Sequence, residues 1–155
     1  MSIDDTDRRI LRLLQRDARL TVAEIADDVG LSPSACHRRV KRLEERGVVR
    51  GYAAVLDRRA VGLHVQAYVF VGMEQHSDET LERFLSTISR IDEVVACHAV
   101  SGTGDYMLKV LCADMDAFAD VALKTIARLP GVKEIQSTFV LATEKEETRW
   151  GLPGA

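Results

Sequence analysis

Apolar residues recur at helical spacing three times in the first fifty positions, and each stretch carries its own start signal. Ile10, Leu11 and Leu14 predict a helix from about Asp5 to Arg16. Asp4 is its N-cap, and Asp5 and Asp7 suit the positive end of its dipole. Val22, Ile25, Ala26 and Val29 predict a second helix. There Thr21 and Glu24 have capping-box spacing, Leu20 and Ile25 occupy the staple positions, and Gly30 supplies the turn. A third starts at Ser32 as N-cap with Pro33 at N1, and runs to about Arg46 before Gly47. Its core stripe is Cys36, Val40 and Leu43, whereas Ser34, His37, Arg38, Lys41 and Arg42 lie on the other side. The β-branched run VVRGYAAVL (48–56) then predicts a strand, and 57–62 a short charged linker.

From His64 the pattern becomes strand (65–73), helix (Asp78 as cap, through about Ser89), strand (94–100), strand (106–112), helix (Asp114 or Asp116 as cap, through Arg128) and strand (132–141). The first helix presents Leu81, Phe84, Leu85 and Ile88. The second presents Phe118, Val121, Ala122, Ile126 and Leu129 before Pro130-Gly131 breaks it. This βαββαβ order is the ferredoxin-like arrangement, in which helices cover one face of a four-stranded sheet. The first strand is apolar on both parities, with Ala67, Val69 and Val71 against Tyr68 and Phe70. The second sets Val95, Cys97 and Ala99 against Ala96 and Val100. A sheet apolar on both faces needs a second covering, which predicts a homodimer packed sheet to sheet.

Composition adds little to this α+β picture. The 155 residues are 46% hydrophobic and 29% charged, ordinary for globular domains. No apolar run approaches the ~20 residues that span a bilayer, and the start MSIDDTDRR has no apolar signal region, so a cytoplasmic protein without membrane contact is expected. Cys36, Cys97 and Cys112 are odd in number and widely spaced, which fits buried thiols better than disulfides or zinc.

Charge distribution changes the picture more. Net charge is −3, which by itself speaks against nucleic acid. Residues 1–50, however, hold eleven Lys and Arg against nine Asp and Glu, while 51–155 hold ten against fifteen. Within 36–50 six basic residues face two acidic ones, and a local basic stripe of this kind binds phosphate because salt screens the more distant acidic charge. Two short helices joined through a glycine turn, the second with a cationic outer face and a small N-terminal turn, make a helix-turn-helix. Arg38 can bind guanine in a bidentate fashion. Lys41, Arg42 and Arg46 can neutralise phosphates, and the N–H groups at Thr21 and Ser32 can bind phosphate oxygens. The expected set facing double-stranded DNA is Thr21, Ser32, Ser34, His37, Arg38, Arg39, Lys41 and Arg42.

Competing readings find less support. His64, His76 and His98 are scattered, and Cys97 and His98 point to opposite faces of a strand, which weakens a metal or redox sensor. No nucleophile elbow, P-loop or HExxH pattern marks an enzyme. A stand-alone ligand-binding module would leave residues 1–50 idle. Trp150 lies in a tail that either packs against a neighbouring subunit or stays disordered.

With both halves described, the chain resembles the Lrp/AsnC family, the feast/famine regulators of bacteria and archaea. TVAEIADDVGLSPSACHRRVKRLEERGVVRGYAAVLD carries the resemblance in the first half, and SGTGDYMLKV with the downstream STFVL in the second. The resemblance implies a winged or strand-flanked helix-turn-helix (1–50), a connecting strand and linker (51–63), and a ferredoxin-like effector-binding and oligomerisation domain (64–155). It implies dimers that assemble into octamers, promoter DNA as partner, no cofactor, and an amino acid or related metabolite as effector. In such proteins the effector lies between dimers near the loop after the second strand. On this chain that loop is Ser101, Gly102, Thr103, Gly104, Asp105 and Tyr106, with Ser137 and Thr138 as neighbours. The chemistry fits, since Gly102 and Gly104 can turn N–H groups toward a carboxylate and Asp105 can pair with an α-ammonium.

Overall fold

Each N-terminal helix begins at the side-chain cap its sequence supplies. In the computed structural model, which describes residues 3–102, 104–145 and 150–153, Asp4 Oδ1 accepts the Asp7 N–H at 2.7 Å and opens α1 (Asp5–Arg16). At α2 (Val22–Val29) the capping box is complete. The Thr21 hydroxyl accepts the Glu24 N–H at 3.3 Å, and Glu24 Oε2 accepts the Thr21 N–H at 2.7 Å. Ser32 caps α3 (Pro33–Glu45) through the Ala35 N–H at 3.3 Å. Between α2 and α3, Gly30 takes φ +71°, a left-handed conformation that a side chain resists. Ile10, Ile25, Ala26, Cys36 and Leu43, each at most 1% exposed, form the core of this three-helix unit.

Contacts divide the chain into Met1–Val55 with Glu144–Ala155, and Leu56–Thr143. The tail therefore goes with the helices, although the sequence placed it with the second domain. The side-chain amide of Gln15 brackets the Trp150 backbone, accepting its N–H at 2.6 Å and donating to its carbonyl at 3.5 Å, and Leu152 packs against the helical core. The strand expected over 48–56 is absent. Its backbone finds no ladder partner, and Tyr52, Val55 and Leu56 stay at least half exposed.

The second unit is a four-stranded antiparallel sheet in the order β2-β3-β1-β4, built from β1 (Val65–Met73), β2 (Val94–Ala99), β3 (Tyr106–Cys112) and β4 (Val132–Phe139). The ferredoxin-like expectation holds. Ala67, Val69, Val71, Leu108 and Val110 are fully buried under α4 (Asp78–Ile88) and the helix after β3. Several details differ from the sequence reading. Ser77, not Asp78, caps α4, and Leu85 lies at the edge of the apolar stripe, 42% exposed. Asp114 caps α5 (Met115–Ala119), but the helix then widens into a π turn over Asp120–Thr125 and tightens into a 3₁₀ turn at Ile126–Arg128. There the Thr125 hydroxyl donates to the Asp120 carbonyl five residues back, at 3.2 Å. Apolar spacing does not separate π from α, because the two differ by less than one residue per turn.

A bulge between Val94 and Ala96 shifts the register of β2. Val94 and Cys97 therefore share the helix-covered side, and Val95 is half exposed instead of sharing a face with Cys97. Across the open face the register brings together Tyr68, Lys109, Ala96 and Thr138, and beside them Phe70, Met107, His98 and Gln136. This face is mixed, with half-buried aromatic and aliphatic residues among polar ones.

Candidate nucleic-acid interface and effector loop

Helix α3 has a buried face, two braced flanks and one open stripe. Cys36, Val40 and Leu43 fill the core, and burial raises the Cys36 thiol pKa. On one flank Arg39 and Arg42 turn toward α1. Arg39 Nη1 donates to Asp4 Oδ2 at 2.7 Å and to Asp7 Oδ1 at 2.8 Å, and Arg42 Nη2 donates to Asp7 Oδ2 at 3.0 Å. The Asp7 side chain is 1% exposed, so two guanidinium groups compensate one buried carboxylate. The Arg39 guanidinium is also the main reason the Asp4 carboxyl is held below its usual range. On the opposite flank Tyr52, from the connecting segment, donates to Glu44 Oε1 at 2.8 Å. Burial, and then the neighbouring Glu44, push its phenol up to about 12.

Between the flanks lie Ser34, His37, Arg38 and Lys41, all exposed. Among the described residues Arg38 has no ion-pair partner, and Lys41 has only an exposed contact with Glu45 at 3.7 Å. The stripe is small at the helix N-terminus and cationic one turn later, a shape that enters a major groove and reaches guanine and phosphate.

Three residues of the expected DNA-facing set are bonded elsewhere. Arg42 is expected on the outer face and Arg39 in the DNA-facing set, but both hold α1. Thr21 presents neither free group, because its N–H and its hydroxyl both donate to Glu24 Oε2 at 2.7 Å. Ser32 uses its hydroxyl as a cap, 3.3 Å from that of Ser34, and these contacts do not engage the backbone N–H expected to meet phosphate. The sequence reading assigns Asp7 to the helix dipole and not to a buried pair, although its spacing is informative. It stands three and four residues before Ile10 and Leu11, inside the buried stripe, where a charge needs a partner.

The loop between β2 and β3 is pinned to the end of β1 by Asp105. Its N–H donates to Val71 O at 2.9 Å, and its carbonyl accepts from the Val100 N–H at 3.0 Å. Its Oδ2 accepts the Met73 N–H at 2.6 Å, and its Oδ1 lies 2.9 Å from His76 Nε2. The Met73 N–H, and secondarily His76, keep the Asp105 carboxyl below its ordinary pKa. Gly104 packs so closely that a Cβ there would stand 3.2 Å from Val71 O. Ser101 and Gly102 are exposed, and Thr103 lies outside the described residues.

Tyr106 turns from the loop into the core, its ring 5.0 Å from that of Phe84. Ser137 and Thr138 pair with Val69 and Tyr68 and so lie on opposite faces. Because Tyr106 pairs with Val71 and Val71 with Ile135, both sit on the far side of β1 and further along it. Strand spacing puts roughly 12 Å between their backbone and the loop. One chain does not bring these two groups together. His76, which the sequence left as scattered, is brought to the loop by the turn after β1.

Residues 66–150 match the family model described as Lrp/AsnC ligand binding domain, and residues 3–50 that described as winged helix-turn-helix DNA-binding. The chain is 35% identical over 147 residues to the leucine-responsive regulatory protein of Escherichia coli (strain K12), covering 95% of this chain and 90% of that protein. It is 32% identical over 143 residues to the transcriptional regulator AzlB of Bacillus subtilis, covering 92% and 91%. A solved transcriptional regulator from Neisseria meningitidis in complex with L-Met superposes with a TM-score of 0.93 at 39% identity, over 98% of both chains. The feast or famine regulatory protein from M. tuberculosis complexed with L-methionine gives 0.88 at 36% identity, over 98% of this chain and 100% of that one.

Proposed function

The chain belongs to the Lrp/AsnC family of transcriptional regulators, and from that premise we propose that Ser34, His37, Arg38 and Lys41 read promoter DNA while an amino acid bound at the 101–105 loop sets the response. The observation that carries the DNA reading is the single open stripe of α3, polar and cationic, between flanks tied down by Asp7 and by Tyr52. Arg38 contacts guanine and Lys41 a phosphate.

An amino acid suits the loop chemically. Gly102 offers backbone N–H to a carboxylate, and Asp105 accepts an ammonium on the lone pairs that Met73 and His76 leave open. Two similar structures hold L-methionine, which makes it the first effector to test. The working unit is a homodimer, assembling further into an octamer in the cytoplasm. The half-buried Tyr68, Phe70 and Met107 on the open sheet face and the 51–56 segment, which joins no ladder, both support a second copy. The effector sits between dimers, where the loop of one copy can meet Thr138 of another.

Fluorescence anisotropy with the protein's own upstream DNA, titrated with salt and with each of the twenty amino acids, tests the proposal. Salt-dependent, sequence-selective binding shifted by one amino acid is expected. Selective binding that no amino acid shifts would overturn the effector assignment and leave the DNA assignment standing.

A further inference from the structure

Helix α3 carries four cationic side chains, Arg38, Arg39, Lys41 and Arg42, with Arg46 at its C-cap, yet two of the four are spent on a carboxylate from another helix. Asp7 sits at the buried end of this arrangement, and Asp4 adds a second hold on Arg39 at the surface. Both arginines remain about one-third exposed, so they are drawn away from the open stripe without being sealed in the core. Arg42 follows Arg38 by four residues, the spacing of neighbours on one helical face. Its bonds to Asp7 set it apart from Arg38. The tie is maintained although it leaves Arg42 Nε buried and without a partner.

We propose that Asp7 is a positioning residue for DNA recognition. It fixes the rotation of α3 against α1 and withholds Arg39 and Arg42 from phosphates. The salt-dependent part of binding is thereby limited to fewer cations than the helix carries, and a larger share of affinity comes from base contacts. Unrestrained guanidinium groups strengthen binding to every sequence alike, because phosphate contacts carry no sequence information. This inference rests on α3 being the DNA-facing helix.

The test measures the slope of log K against log salt, on specific and on scrambled duplexes, for the full chain and its variants. Each phosphate contact adds about 0.9 to the slope. Asp7→Asn removes the charge at nearly constant shape. It should steepen the slope by about one to two units, tighten binding to scrambled DNA several-fold and lower the specific-to-scrambled ratio. Adding Arg39→Gln and Arg42→Gln to Asp7→Asn should return the slope to its original value, which a purely structural role would not do.

Arg39→Gln alone leaves Asp7 paired with Arg42 and serves if Asp7→Asn does not fold. An unchanged slope supports the inference, and a slope flattened by about one unit overturns it, because Arg39 would then be a phosphate contact. A lower melting temperature with unchanged slope in Asp7→Asn would also overturn it. Arg38→Ala separates the two levels. If it is silent, the reading of α3 fails and takes the role of Asp7 with it. If it is active while the Asp7→Asn slope stays unchanged, only the role of Asp7 is lost.

Discussion

The helical unit and the sheet unit hold their working surfaces in opposite ways. On the helices, the stripe of Ser34, His37, Arg38 and Lys41 is framed by residues beside it, not within it, that are bonded elsewhere. On the sheet, the working residue and the holding residue are the same one. Asp105 is the group proposed to meet an ammonium, and it also ties the loop to β1 through Met73 and Val71 and to the turn after β1 through His76. A surface braced from its flanks can be altered without loosening its frame. A loop anchored through its own reactive group cannot.

Core substitutions break the comparison most severely. Leu43→Ala and Ile126→Ala each remove a fully buried side chain and should cost about 2–5 kcal/mol within their own unit. Trp150 reports on the helical unit through its hold on Gln15, so its fluorescence transition should shift with Leu43→Ala and not with Ile126→Ala. A common shift would show that the units unfold as one.

Next in size, Arg38→Ala should lose roughly 1–3 kcal/mol of sequence discrimination with the fold intact, measured by competition between specific and scrambled DNA. Asp105→Ala should instead lose effector response and loop order together, seen as faster amide exchange at Met73, whose N–H the Asp105 carboxylate accepts. Response lost with exchange unchanged would remove the contrast drawn between the two units.

The cap of α4 gives a smaller effect. Ser77→Ala should destabilise the sheet unit by about 1 kcal/mol, and Asp78→Ala by less, because only Ser77 accepts the Thr80 N–H. The smallest effect is one of pH. The folded Asp105 carboxyl is more acidic than the unfolded one, so its contribution is fully present above the ordinary carboxylate range and fades as pH falls through the lower folded value. The melting temperatures of the wild type and Asp105→Asn should therefore converge below about pH 4.

What the sequence made legible follows from the range of the forces involved. Caps at Asp4, Thr21 and Ser32 act across three residues, so the residues themselves announce them. The ferredoxin-like order was readable for the same reason, because strand and helix periods are local. The Asp7 pairs span more than thirty positions and the His76–Asp105 contact twenty-nine, and no local pattern encodes either partner. The reading of 48–56 as a strand had the right residue types but no information about a partner strand. The reading of Arg42 as outward had the right helical angle, but a long side chain can bend toward a buried charge that the angle does not include.

Because the braces of α3 lie outside its open stripe, the helix behaves as a fixed handle with exchangeable teeth. Under the proposed reading of α3, descendants of this gene can acquire new operators by changing positions 34, 37, 38 and 41, one at a time, without first passing through an unstable intermediate. On the same reading, loss of the charge at position 7 would disturb every operator at once. Divergence among duplicated copies should therefore accumulate on the stripe and spare the braces.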